Sequence, residues 1–358
     1  MKVASLTDHI FSPASRFRFR QYIPILLQNG IEVHDYYRKL STETASPRDG
    51  NIRIRDDYGL ILRAILHETD NVVKRFIYTL KSNSYDAVWL SRQLIIGYPS
   101  FEFLINKPLI YDIDDAIFLI NRLANLQFKI TSERANAVIA GNDYLAEEAS
   151  KYCKKVFVVP TAVDTDRWQP SFINIYDEQI FDSEEFRIGW CGTSSSYKYF
   201  LPLENDIKQF LLDFPSTKFI LMSDRFPQEL QILKPYINFI QWSVDEEVKF
   251  IQSLDVGLMP IGNDIWSKGK CAYKALLYAA CSIPVIMTPT GVNAQLLAQS
   301  EIGIGPNNSK EWYEALRMMF FDKALAKRMG RNGVDLIAKD YSMIACAPKI
   351  AKIIREST

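Results

Sequence analysis

Histidine is scarce in this 358-residue chain, with three in all, and the five cysteines are odd in number and never form a C-x-x-C pair. Cys153, Cys191, Cys271, Cys281 and Cys346 are therefore neither a zinc ribbon nor a secreted disulfide scaffold, and a reducing compartment suits them better. His9, His34 and His67 are dispersed; only His9 follows a candidate strand, and a structural histidine is expected at each. No G-x-S-x-G elbow and no His–Cys grouping occurs, which removes the familiar nucleophilic hydrolases. An excess of one charge is also missing. The 42 Lys+Arg balance 42 Asp+Glu, so neither a duplex nucleic-acid binder nor an acidic tail is indicated. The longest apolar run, Leu276 to Met287, is too short to span a bilayer and contains Pro284. Met1 to Asp8 meets a polar residue too soon for a signal-peptide core. The expectation is a cytoplasmic protein, with attachment to the inner face of a membrane still compatible.

What is present points to a large folded core. Apolar residues make up 48% of the chain and aromatics 13%, over a length suited to two domains. Short apolar strands alternate with helical stretches in two rounds. The first has strands at 3–6, 31–33, 87–90, 109–111, 137–140 and 156–159, with helices near 18–28, 71–80 and 142–152. The second has strands near 186–192, 218–222, 256–259 and 285–287, with Ser243 to Glu246 reading as a capping box and Asn308 as a helix cap. Continuous apolar strands separated by helices predict α/β architecture, two doubly wound parallel sheets in tandem, with ligands at the strand C-termini. The expected division is a first Rossmann-like domain at 1–168, a linker at 169–185, a second domain at 186–340, and a terminal helix at 341–358 free to pack back on the first. Residues 39–56 read as a polar loop.

Four constellations carry chemistry. Lys268, Gly269, Lys270 and Lys274 surround a predicted helix start after the strand ending at Met259; free helix N–H groups and lysines there suit a phosphate or diphosphate. Lys270 and Lys274, four apart, are expected on one helix face. A solvated basic helix start is the plainer alternative. Gly192, Thr193, Ser194 and Lys198 follow another strand in a small-residue loop that is neither G-x-G-x-x-G nor Walker A, and a plain turn competes with a phosphate loop. Asp112, Asp114 and Asp115 follow the 109–111 strand and could hold sugar hydroxyls, a metal or a proton, or merely cap a helix. Finally, in Phe11 to Arg20, Ser15 and Arg16 are placed for an anionic substrate, whereas Arg18 and Arg20 read as solvated positions of an amphipathic helix.

Ile188 to Gly192, Asp255 to Pro260, Trp266 to Lys274, Ala279 to Ile286 and Pro289 to Asn293 together resemble the GT-B glycosyltransferases of the retaining group 1 type, glycosyltransferase family four. Val158 to Asp164 is similar to the segment that closes the N-terminal domain in that family. The resemblance implies a nucleoside-diphosphate-sugar donor on the C-terminal domain and a glycan, lipid-linked or protein acceptor on the N-terminal one, without a metal or other cofactor. It implies catalytic roles for Asp114, Asp115 and Lys270, donor contacts from Gly192, Thr193, Ser194, Lys198, Lys268, Gly269 and Lys274, and acceptor or phosphate contacts from Ser15 and Arg16. Lys198 matches the family's phosphate-binding lysine, while Thr193 stands where its arginine does. Asp114 falls where many members have a histidine. The Glu-x7-Glu pair is absent, its positions falling on Gly269 and Leu277. A noncatalytic binding subunit and a metal-dependent transferase built on Asp112 to Asp115 are therefore the alternatives. Oligomeric state and the identity of the donor are not legible.

Overall fold

A computed structural model describes residues 1–10, 12–37, 71–171 and 185–358. The predicted loop at 39–56, most of the predicted linker, Phe11 and His67 lie outside the described residues. The chain divides into two compact units, Met1–Ala162 with Cys346–Thr358, and Val163–Ala345. Val163 and Trp168 are buried in the core of the second unit, so the chain joins that unit before residue 168.

The first unit is built on one parallel sheet of β1 (Lys2–Leu6), β2 (Glu32–Tyr36), β3 (Ala87–Ser91), β4 (Leu109–Ile113), β5 (Ala137–Ala140) and β6 (Val156–Val158), in the order β2-β1-β3-β4-β5-β6. Every residue of β3, β4 and β5 is buried, as expected of strands covered by helices on both faces. The chain runs from β1 outward to β2, then returns to β3 on the other side of β1. The crevice where the order reverses therefore opens beyond Leu6 and Ser91.

The second unit repeats the plan with β7 (Phe186–Cys191), β8 (Thr217–Ser223), β9 (Ile237–Gln241), β10 (Val256–Met259), β11 (Val285–Met287) and β12 (Gly303–Ile304), in the order β12-β11-β10-β7-β8-β9. Its reversal lies between β7 and β10. The two doubly wound parallel sheets predicted from the alternation are present. The edge strands β9 and β12 were not legible: β9 has no fully buried residue and β12 is two residues long, so neither shows a continuous apolar run.

Local signals explain most helix boundaries. Asn142 accepts from Leu145 N at 2.9 Å and Asn308 from Glu311 N at 3.2 Å, each satisfying an otherwise orphaned donor. Ser243 accepts from Glu246 N at 3.3 Å, but the regular helix starts only at Glu247. The predicted helix at 18–28 is corrected to three short turns, a π turn at Ser15–Phe19, a 3₁₀ turn at Arg20–Tyr22 and an α-helix at Ile23–Gln28. Pro24 has no N–H to return to Arg20, so a single regular ladder cannot run through it. All five cysteines are free thiols.

Candidate functional site

At the crevice edge of the first unit, carboxylates and guanidiniums are interlocked. Arg92 directly follows β3 in a left-handed conformation, φ +54°, uncommon for a residue with a side chain. Its Nε donates to Asp114 Oδ1 at 2.6 Å and its Nη2 to Asp115 Oδ2 at 2.8 Å. Burial opposes ionisation of Asp114, but the charge and hydrogen bond of Arg92 outweigh it and hold this carboxyl below its usual range. Asp112 is bound from the other side, its Oδ1 accepting from Arg18 Nε at 2.9 Å and its Oδ2 from Trp89 Nε1 at 3.3 Å. Burial pushes Asp112 up to about 6 against the pull of Arg18. Among the described residues, no group of three or more His, Cys, Asp or Glu is arranged to hold a metal.

Arg18 and Arg20 require correction. Arg18 is 2% exposed and also donates to Val159 O at 2.7 Å. Arg20 Nε donates to Asp35 Oδ2 at 2.7 Å, and Asp35 Oδ1 in turn accepts from Thr7 Oγ1 at 2.7 Å. Ser15, Arg18 and Phe19 form the inward face of the π turn, with Arg18 held there by Asp112 and Val159, while Phe17 stays half-buried. Arg16 is half-buried with its guanidinium over the Phe17 ring, 4.6 Å from the centroid. Ser15 is fully buried, and its Oγ has no hydrogen-bond partner among the described residues.

The corresponding edge of the second unit is built from lysines, hydroxyls and aromatic rings. Gly192 follows β7, and a Cβ there would overlap Lys274 Cε and lie 2.6 Å from Trp190 Cζ2. Glycine thus lets the Lys274 side chain cross the strand end. Its Nζ stands 5.3 Å from the centroid of the buried Trp190 ring. Lys198 Nζ lies 5.1 Å from the ring of Tyr199, and Lys270 Nζ lies 6.0 Å from that of Trp266. An aromatic face holds an ammonium in place without cancelling its charge.

The loops after β7 and β10 meet where Tyr199 Oη lies 3.5 Å from Ser267 Oγ, beside the exposed Lys268. Gly291, at φ +57°, backs onto the same turn, where a Cβ would stand 3.1 Å from Lys268 Cα. Gly269 is buried in that turn. Ser194 faces Asp224, which follows β8. Its N–H donates to Asp224 Oδ1 at 2.6 Å and its Oγ to Asp224 Oδ2 at 2.9 Å. Thr193 is exposed and lies 3.0 Å from Ser195 through their hydroxyls.

One further expectation is corrected here. Lys270 and Lys274 do not share a helix face, because the helix is Tyr273–Ala280 and Ala272 before it is left-handed, at φ +53° and ψ +23°. The reversal breaks the helical path between the two lysines. Leu277, at one position of the absent Glu pair, is 8% exposed in the apolar core.

Sequence reasoning missed Arg92, Asp224 and the aromatic supports. Arg92 was available from the same rule that selected the aspartates, since it is the first residue beyond a buried strand. The supports were signalled by Tyr199 adjoining Lys198 and by Trp266 four residues before Lys270.

No protein-family model matches the chain, and no curated protein matches it in sequence. Solved structures do match over nearly all of both chains. Sucrose-phosphate synthase from Thermosynechococcus elongatus is 14% identical over 99% of this chain and 98% of that chain, with a TM-score of 0.68. The Anabaena protein HepE, in complex with UDP and glucose, is 16% identical over 99% and 100%, with a TM-score of 0.66. WaaG, a glycosyltransferase involved in lipopolysaccharide biosynthesis, is 14% identical over 98% and 99%, with a TM-score of 0.63. Together with the two strand orders, this likeness over the whole length identifies the chain's architecture as the GT-B fold of the glycosyltransferases.

Proposed function

We propose that the protein transfers a sugar from a nucleoside-diphosphate sugar to a glycan, lipid-linked or protein acceptor, with retention and without a resident metal. The observation that carries this reading is the placement of Lys274 across Gly192 at the reversal of the second sheet, with Lys198 and Lys270 likewise seated on aromatic rings. A leaving diphosphate gathers charge as the glycosidic bond breaks. Preset ammonium groups stabilise that charge more than the ground state, which is how such a site lowers the barrier. Lys268 and the loop at 192–194 complete the donor side. Asp114 and Asp115, locked by Arg92, orient sugar or acceptor hydroxyls on the acceptor side, together with Arg16. Ser15, being fully buried, supports that edge from behind. The engagement of Asp112, Asp114 and Asp115 by arginines favours the metal-free reading over the metal-dependent one. Because HepE was solved with UDP and glucose, UDP-glucose is the first donor to try.

The test is turnover of radiolabelled UDP-sugars and a panel of other nucleotide-sugars, with and without EDTA. Transfer or slow donor hydrolysis that survives EDTA is expected, and loss of all activity in EDTA would select the metal-dependent reading. The buried Leu277 and Gly269 at the Glu-pair positions favour a second reading, a noncatalytic nucleotide-sugar-binding subunit. That reading predicts saturable donor binding with neither transfer nor hydrolysis.

A further inference from the structure

The grip of Arg92 on Asp114 and Asp115 depends on a backbone conformation that a residue with a side chain does not favour. Such a residue persists at φ +54° only where its surroundings impose it. On one side the constraint is the sheet itself. β3 pairs with β4, and Arg92 N donates to Asp112 O at 2.8 Å. On the other side the chain leaves the sheet and runs irregularly to a 3₁₀ turn at Phe101–Leu104. Backbone outside a ladder must find other partners, and side chains are one source of them.

Two buried polar side chains meet that need. Gln93 is 3% exposed and uses both ends of its amide: Oε1 accepts from Gly97 N at 3.0 Å, and Nε2 donates to Ala124 O at 2.8 Å. Glu102 is 1% exposed, with Oε1 accepting from Leu94 N and Oε2 from Ser100 Oγ, each at 2.8 Å. Gly97 turns the chain between them at φ +92°, where a Cβ would stand 3.3 Å from Asn121 Nδ2. Asn121 caps the Arg122–Arg134 helix by accepting from Ala124 N at 2.8 Å. The two residues that follow Arg92 are thus tied, Gln93 by its side chain to that helix and Leu94 by its backbone to Glu102.

Burying such groups is unfavourable. Burial raises the Glu102 carboxyl above its usual range, and the bonds from Leu94 and Ser100 offset this only in part. What a fully bonded polar network supplies in return is one fixed geometry. We infer that Gln93 and Glu102 are positioning residues, which hold the segment after β3 so that Arg92 stays left-handed and keeps Asp114 and Asp115 in one orientation. Both act through Arg92. A misplacement of about 1 Å in a substrate-positioning group can lower a rate by about a hundredfold, so an orientation fixed in this way bears on transfer. That consequence rests on the proposed transferase reading, whereas the positioning itself does not.

The test reads Asp114 directly, by titrating the side-chain carboxyl ¹³C signals of the full chain, with Arg92→Gln as the reference for a released Asp114. Burial opposes ionisation of Asp114 and Arg92 outweighs it; Arg18 and Asp112 also act on this carboxyl and are kept in every variant. Glu102→Ala removes both acceptors, so the Asp114 midpoint should rise towards that of Arg92→Gln. Loss of the Glu102 charge alone would move Asp114 the other way, so a rise reports the release of Arg92. Glu102→Gln should leave the midpoint at or below the wild-type value, because its amide oxygen can accept from Leu94 N and its NH2 can donate to Ser100 Oγ. Gln93→Leu, which alters no ionisable group, should shift Asp114 in the same direction as Glu102→Ala. An unshifted Asp114 in the folded Gln93→Leu and Glu102→Ala proteins would overturn the inference. So would the same rise in Glu102→Gln as in Glu102→Ala. In turnover assays, transfer should fall by about tenfold or more in Glu102→Ala and recover in Glu102→Gln. Absence of transfer by the wild type would reject the transferase reading alone, because the Asp114 titration needs neither donor nor acceptor.

Discussion

The two units carry the same sheet plan, yet their crevice edges are built from opposite materials. In the first, each carboxylate of the 112–115 run is gripped by a guanidinium, and Arg18 with Asp112 is sealed from solvent at 2% and 1% side-chain exposure. In the second, the lysines rest on the rings of Tyr199, Trp266 and Trp190. An ion pair consumes the charge of both members and fixes their geometry. A cation–π contact fixes geometry but leaves the field of the ammonium intact. The first edge is thus a rigid platform in which two guanidiniums hold three carboxylates, and the second a positive cradle set on aromatic rings.

Substitutions should separate the two materials. The largest effect is expected from Arg18→Ala, which strands Asp112 as a buried unpaired charge; breaking such a pair costs about 3–5 kcal/mol, measurable by urea unfolding. A loss below about 1 kcal/mol would mean that the edge is not a sealed platform. Next, Lys270→Ala or Lys274→Ala should lower transfer by about 10²–10³ with little change in stability, as removal of a preset charge-stabilising group does. Near-wild-type transfer in both would reject the positive cradle. Gly192→Ala forces Lys274 and Trp190 to shift, and about a tenfold loss in donor affinity is expected by titration with UDP. Trp266→Leu removes the support of Lys270 and should weaken the same binding by about 0.5–1 kcal/mol.

The smallest effect is a pH dependence. The folded-state pKa of Asp114 lies below its unfolded value, so its contribution is present above the ordinary carboxylate range and is lost as pH falls through the folded value. Arg92→Gln removes the main cause of the depression. Stability of the variant should therefore fall less steeply than wild type on the acid side, by under about 1 kcal/mol for a partly exposed pair. Parallel acid limbs would show that Arg92 does not tune this carboxyl.

Legibility followed physical range. The buried strands, the helix caps and the tandem plan depend on local patterns, and Val3 to Leu6 or Asn142 announce themselves. The basic and acidic constellations were legible as residue types beyond strand ends. Their partners were not. Arg18 reaches Asp112 across 94 residues and Ser194 reaches Asp224 across 30, distances no periodicity reports. The break between Lys270 and Lys274 depends on a single backbone event, the left-handed Ala272.

Donor binding by the second edge is the central claim, and a thermal-unfolding titration with UDP-glucose and related nucleotide-sugars, on wild type and Lys274→Ala side by side, tests it most directly. A ligand that binds only the folded state at a hundredfold excess over Kd stabilises it by about 2.7 kcal/mol. The account predicts a saturable rise in the wild-type midpoint for at least one nucleotide-sugar, and a much smaller rise at the same concentration for Lys274→Ala. No rise with any nucleotide-sugar, or equal rises in the two proteins, would contradict it.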